Sequence, residues 1–228
     1  MPVSNTRCSR GVDCTVWIPA LIMPEPDRAE TARVRTEPAL RRLCAEHKVS
    51  YPPAEILLVG IKSDKVLQVW ANGKKGARLK LLKSYSMLAA SGVLGPKRKE
   101  GDLQVPEGRY KVVVFNPESR FHLSMGLNYP NSDDIKWADR EKPGGEIYIH
   151  GNQVSIGCMA MGDTMIEEIY TLCKASLIKP VKVDIFPFAM TEKNMAWARE
   201  EFPASDTDRW RVWSALKKRW DSFQKRRR

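Results

Sequence analysis

Apolar and polar positions divide this chain into short strands and a few helices. Residues 55–61 (Glu-Ile-Leu-Leu-Val-Gly-Ile) form an apolar run. Residues 65–71 set Val66, Gln68 and Trp70 against Leu67 and Val69, so the two segments predict a β-hairpin turning at Lys62-Ser63-Asp64. Further strands are predicted within Leu79–Ala90, over Arg109–Phe115, over Arg120–Leu127 and over Val181–Phe186, with Asn116-Pro117 parting the middle pair. Alternation returns around Tyr148–His150 and again at Val154 and Ile156, which predicts a strand–turn–strand there. Helical spacing marks Glu37–Lys48, closed by Tyr51-Pro-Pro53, then the stretch holding Ile166, Ile169, Tyr170 and Cys173, where Thr164 and Glu167 fit a capping box. Thr191–Glu201 and Thr207–Gln224 complete the helices. Gly95–Gly108 and Tyr129–Gly145 read as polar loops.

The pattern implies a mainly β core with flanking helices, an α+β class. Three segments follow from it: an irregular N-terminal arm over 1–34, rich in proline; a core over 35–190 with its leading helix; and basic amphipathic helices over 191–228. A chain of 228 residues with 43% hydrophobic content can bury one substantial core. The net charge of +11 is uneven. It is +2 over 1–50, +5 over 51–108, −1 over 109–190 and +5 over 191–228. Such a balance favours anionic partners. In the last helix Trp210, Trp213, Leu216, Trp220 and Phe223 share one face, which either packs on the domain or meets an anionic membrane or wall polymer. No open aromatic face marks a nucleic-acid site, so no nucleic acid is expected, and a monomer is. No stretch is long enough to span a membrane. The run Val16–Met23 contains Pro19 and makes a poor signal peptide, so no export signal is visible.

The candidate chemistry lies in the nearly neutral region. His150-Gly151 and Gly157-Cys158 place an imidazole and a thiol eight residues apart. A thiol is mostly protonated at neutral pH, and a nearby imidazole can take its proton. Gly157 permits close backbone approach, so the N–H groups of Gly157 and Cys158 are candidate oxyanion donors. Ser155 is a candidate partner for the histidine or the substrate backbone. An isolated cysteine is as often core, and spacing alone leaves both readings open. Cys173, on an apolar helical face, reads as core, and His47 as a helix cap or an exposed residue. His122, beside Phe121, either lines a substrate groove or is structural. No cysteine spacing forms a zinc site, so no metal is expected. Five cysteines leave at least one unpaired, and a Cys8–Cys14 disulfide is an option in an oxidising compartment.

His150-Gly151 followed by Ser155-Ile-Gly-Cys158 resembles the signature of the L,D-transpeptidase catalytic (YkuD) domain family. The loop Gly101–Tyr110 resembles its Pro-x-Gly segment. The short spacer and Ile156 before Gly157 resemble the YafK-like branch. So do Tyr51-Pro-Pro53, Phe121-His-Leu-Ser124 with Tyr129-Pro-Asn131, Gly157–Asp163 and the closing Trp213…Phe223. The resemblance implies a β-sandwich-like catalytic core with its cysteine at the end of a cleft. It implies acyl transfer on peptidoglycan stem peptides through a thioester on Cys158, with His150 as base, Ser155, Gly151 and Gly157 positioning, and no metal or organic cofactor. An amine resolves the thioester in a transpeptidase. Water resolves it in a hydrolase or amidase, which would release cross-links or wall-attached protein. A non-catalytic, basic wall-binding module is the alternative of another class. The family's arginine two residues after the cysteine is Ala160 here, so carboxylate recognition is expected from Arg109 or Lys111. The resemblance places the protein in the cell envelope or periplasm.

Overall fold

The computed structural model describes residues 27–227. The expected Cys8–Cys14 pairing, the Val16–Met23 run and most of the expected arm lie outside them. The elements are α1 (Arg28–Glu46), β1 (Glu55–Ile61), β2 (Val66–Asn72), β3 (Lys80–Ser86), β4 (Ala89–Ala90), β5 (Gly108–Ser119), β6 (His122–Leu127), a 3-10 turn (Asp134–Lys136), β7 (Tyr148–His150), β8 (Met159–Ala160), α2 (Asp163–Ala175), β9 (Lys182–Phe186), α3 (Glu192–Glu201) and α4 (Thr207–Arg227). The sandwich-like core is built from one nine-stranded sheet in the order β3-β2-β1-β9-β5-β6-β7-β8-β4. Most neighbours are antiparallel; β1 with β9 and β7 with β8 are parallel.

β1 shows why the sheet carries helices on both faces. Successive strand residues point to opposite faces. Ile56 and Leu58 join the core under α1 and α2, while Leu57, Val59 and Ile61 join the one under α3 and α4. All seven β1 residues are buried, which explains its continuous apolar run. On the second face Trp213 stands fully buried among Phe188, Phe202 and Trp210, with ring centroids 5.1–5.4 Å apart. The apolar face of α4 therefore packs on the domain, and its use as a membrane-inserting face is excluded.

Four local features depart from the sequence pattern. α1 begins at Arg28, inside the segment expected to be irregular. Its buried positions there are Ala32 and Thr36, too small and polar to show as an apolar stripe, and Asp27 caps it by accepting the Ala29 N–H. β5 runs through Asn116-Pro117, because register shifts between Val112 and Val114 and between Asn116 and Ser119 absorb the proline. Residues 151–158 form a loop in place of the second expected strand, with Val154 and Ile156 exposed. α2 starts on Gly162 with no side-chain cap, so the Thr164–Glu167 capping box does not form.

One buried ion pair ties the faces together. Glu107, with no side-chain exposure, lies 2.9 Å from the Lys62 Nζ. The same carboxylate accepts the Gly95 N–H at 2.7 Å and the Trp213 indole N–H at 2.6 Å. Lys62 donates onward to the Gly95 and Val105 carbonyls. Glu107→Ala leaves a buried ammonium without its partner. It is expected to cost about 3–5 kcal/mol in denaturant unfolding, and the double change Lys62→Met with Glu107→Leu to recover part of that loss. A loss below about 1 kcal/mol for the single change would contradict this assignment.

Candidate active site

Parallel pairing of β7 with β8 builds the site. The register sets Ile149 against Met159 and His150 against Ala160. Because the pairing is parallel, residues 151–158 must travel back before β8 begins. Cys158 is delivered beside Tyr148, two residues before His150 and on the same face. Strand spacing then puts the Cys158 and His150 Cα atoms roughly 8 Å apart on the diagonal. The Tyr148 N–H lies 3.4 Å from the Cys158 Sγ, which fits that placement.

The loop is held by specific contacts. Ser155 Oγ accepts the Cys158 N–H at 2.9 Å and donates to the Cys158 carbonyl at 2.6 Å. Ser155 thus clamps the cysteine backbone and makes no bond to the histidine. It also occupies one of the two expected oxyanion donors, the Cys158 N–H. The Gly157 N–H meets no protein acceptor among the described residues. Gly157 has a φ of +114°, a conformation that glycine accepts and other residues resist. Gly151 is required for a different reason. A Cβ there would lie 2.6 Å from the Asp163 Oδ1 and 2.7 Å from the Phe121 carbonyl.

His150 is buried at the end of β7. Its Nδ1 lies 2.6 Å from the Gly151 carbonyl, which can only accept, so the proton sits on Nδ1 and Nε2 keeps its lone pair. The Phe121 ring lies against the imidazole, with centroids 4.7 Å apart. Burial holds the His150 pKa below the ordinary imidazole value, opposed by the Gly151 hydrogen bond. Burial also pushes the Cys158 thiol up, with the Tyr148 N–H pulling it down and the nearby Glu146 carboxylate adding to the rise. Burial thus favours the neutral form of each group. No hydrogen bond joins them among the described residues.

His150 and Cys158 line one open cleft of about 700 Å³. Phe121, Leu103 and Ile156 stand exposed around it. Of the cysteines described, Cys44 and Cys173 are buried and Cys158 alone is partly exposed. The other expected contacts fall elsewhere. His122 turns to α2, where its Nε2 lies 2.6 Å from Glu167, a carboxylate also paired with Arg35. Arg109 lies on a separate groove near Asp184, and Lys111 is absent from the cleft wall. The cations on that wall are Lys97 and Arg120. Lys97 is held by Asp102 at 2.5 Å, whereas Arg120 is exposed and makes no ion pair among the described residues. Nothing in the local pattern around Arg120 marked it. The β5–β6 turn that carries it is set by long-range bonds, in which Arg28 of α1 donates to the Ser119 and His122 carbonyls.

A neutral resting thiol has a measurable signature. Iodoacetamide is expected to label Cys158 before Cys44 and Cys173, with a rate that climbs about tenfold per pH unit through neutrality and levels only above the ordinary thiol pKa of about 8.5. His150→Ala should change that rate less than about threefold. A plateau already present near pH 6 and lost in His150→Ala would instead show a resting thiolate–imidazolium pair.

The L,D-transpeptidase catalytic domain (YkuD) family model matches residues 54–185. YafK of Escherichia coli (strain K12), itself only a candidate L,D-transpeptidase by name, is 32% identical over 188 residues, covering 80% of this chain and 72% of that protein. Two solved structures overlap the chain more loosely. The helical cell shape determining protein Pgp2 from Campylobacter jejuni is 19% identical over 81% of this chain and 77% of its own, with a TM-score of 0.48. Bd1075 of Bdellovibrio bacteriovorus is 18% identical over 61% and 50%, with a TM-score of 0.42. Neither overlap bears on function. The family match covers most of the sheet and both His150 and Cys158, and the chain belongs to the L,D-transpeptidase catalytic (YkuD) domain family, with YafK among its relatives.

Proposed function

We propose that the protein is a cysteine acyltransferase acting on peptidoglycan stem peptides. The observation that carries this reading is the convergence of Cys158 and a His150 with a free Nε2 on one solvent-open cleft. His150 Nε2 takes the Sγ proton as the sulfur attacks the carbonyl at the L-centre of a diamino acid. The oxyanion that forms meets the Gly157 N–H. Collapse breaks the bond to the D-residue, whose amine leaves with the proton carried by His150. A thioester on Cys158 remains. An amine acceptor or water resolves it, with His150 again taking the proton of the attacking group. Peptidoglycan lies outside the cytoplasmic membrane, which assigns the activity to the cell envelope.

Phe121, Leu103 and Ile156 are exposed at the cleft, so solvent reaches the region where the thioester forms. That exposure favours hydrolysis as the second reading, including release of protein attached to the wall. Incubation with disaccharide-tetrapeptide, with and without an added amine, separates the two by product mass. Cys158→Ala is expected to lower turnover on the order of 10³-fold or more, and unaltered turnover would remove the cysteine from the chemistry. The acid limb of activity should lie below the ordinary histidine pKa of about 6.5, because burial favours the neutral base down to lower pH.

Arg120, rather than Arg109 or Lys111, is positioned to meet a carboxylate of a substrate lying in this cleft. Arg120→Ala is expected to raise KM for a tetrapeptide about tenfold with little change in kcat, and Arg120→Lys to recover part of it. An equal effect on a substrate whose carboxylates are amidated would contradict this role.

A further inference from the structure

A second groove, of about 520 Å³, opens between the start of β5, the 3-10 turn and α4. Neither Cys158 nor His150 lines it. Its apolar lining includes Trp137, Val212 and Leu216, and its charged side chains include Arg109, Arg211 and Lys218. Most other charges there are already engaged. Glu107 is held in the buried ion pair, and Asp134 accepts the Tyr110 hydroxyl at 2.8 Å. Asp133 pairs with Lys136 at 2.5 Å, and Arg219 donates to Asp184 at 2.7 Å. Three exposed cations are paired loosely or not at all. Arg109 lies 4.0 Å from Asp184 and Arg211 3.9 Å from Asp208, and Lys218 makes no ion pair among the described residues. Trp137 lines the groove, while its indole N–H is shielded from solvent and has no acceptor among those residues.

Like charges around one groove repel, and an anion placed among them relieves that cost. A simple ion would make no use of the apolar floor, and a purely apolar ligand would make none of the cations. A short peptide with free carboxylates and methyl side chains satisfies both. Stem peptides of peptidoglycan have that chemistry, being built from alanine, a glutamate and a diamino acid.

We propose that this groove binds a second stem peptide of the wall polymer, apart from the one presented to Cys158. The proposal rests on the peptidoglycan reading above, though not on the thiol chemistry. Two attachment points on one polymer make the second encounter intramolecular and raise the effective concentration of substrate at the cleft. The benefit exists only on polymer, so the groove discriminates sacculi from soluble fragments.

The test uses purified sacculi and the full chain carrying Cys158→Ala, so that binding is read without turnover. Adding Arg211→Gln with Lys218→Gln is expected to weaken co-sedimentation about fivefold to tenfold and to flatten its salt dependence. The charge-preserving pair Arg211→Lys with Lys218→Arg is expected to restore both. With Cys158 intact, the Gln pair should slow action on sacculi by a similar factor and leave the soluble disaccharide-tetrapeptide within about twofold. Equal sedimentation of the two proteins overturns the proposal. It is equally overturned if the Gln pair abolishes binding to phosphatidylglycerol vesicles while sacculus binding persists, which would make the groove a lipid headgroup site. Absence of turnover on every substrate would remove the cysteine mechanism and leave the sedimentation result to decide the groove.

Discussion

The Glu107 carboxylate sits where three parts of the chain must agree. It receives the ammonium of the β1–β2 turn, the backbone of the loop at Gly95 and the indole of α4. Burying a carboxylate alone is prohibitive, and burying it with one ammonium barely breaks even. Here each partner supplies a further bond, so the charges are compensated and the geometry is restricted to one arrangement. The consequence reaches the cleft. The loop tied down at Gly95 and Glu107 continues through Lys97, Gly101 and Leu103, which form one wall of the Cys158 cavity. Asp102 holds that wall from within, binding Lys97 and accepting the Arg98, Lys99 and Gln104 N–H groups. The cavity therefore takes its shape from a charge pair outside its own lining.

The same economy of charge explains the resting state of the site. A preformed thiolate–imidazolium pair would place two more charges in a partly buried cleft, next to the Glu146 carboxylate. Burial favours the neutral form of both groups, and the Gly151 carbonyl fixes the tautomer of His150. Ser155 holds the cysteine backbone at both its N–H and its carbonyl. In the mechanism proposed above, the nucleophile is generated as the substrate carbonyl arrives, when the charge that develops can be shared with the Gly157 N–H.

Much of this was legible in the sequence because it is local. Alternation located the hairpin of β1 and β2 to within a residue, and helical spacing found α3 and α4. The His-Gly and Gly-Cys pairs marked two residues that line the one cleft. What escaped the sequence is non-local. The exposed Val154 and Ile156 alternate as a strand would, yet parallel pairing of β7 with β8 requires a return loop there. His122 sits beside Phe121 in sequence, but its φ of +70° turns the two side chains to different surroundings, one to Glu167 and one to His150. Arg109 and Lys111 were expected to supply the carboxylate recognition that Ala160 cannot. β5 is instead separated from β7 by β6, and its first residues pair with β9. The loop 95–108 read only as charged and polar, and nothing in its sequence showed that two of its charges, Lys97 and Glu107, are buried.

The last helix shows how burial decides between two readings that composition leaves open. Its aromatic face and its cations fitted either packing on the domain or an amphipathic device meeting an interface. The structure divides those roles. Trp213, Leu216, Trp220 and Phe223 are spent on the second core, and their burial is what fixes the helix against the sheet. Arg211 and Lys218 are seven residues apart, which places them on one side of the helix about 10 Å from each other. Because the apolar face is fixed, that basic side cannot rotate away from the start of β5. It faces Arg109 across a groove whose floor is the same Leu216 and Val212 that anchor the helix. The packing that stabilises the domain therefore also sets the spacing of its outer charges, and a rigid spacing is what a repeating anionic polymer can recognise.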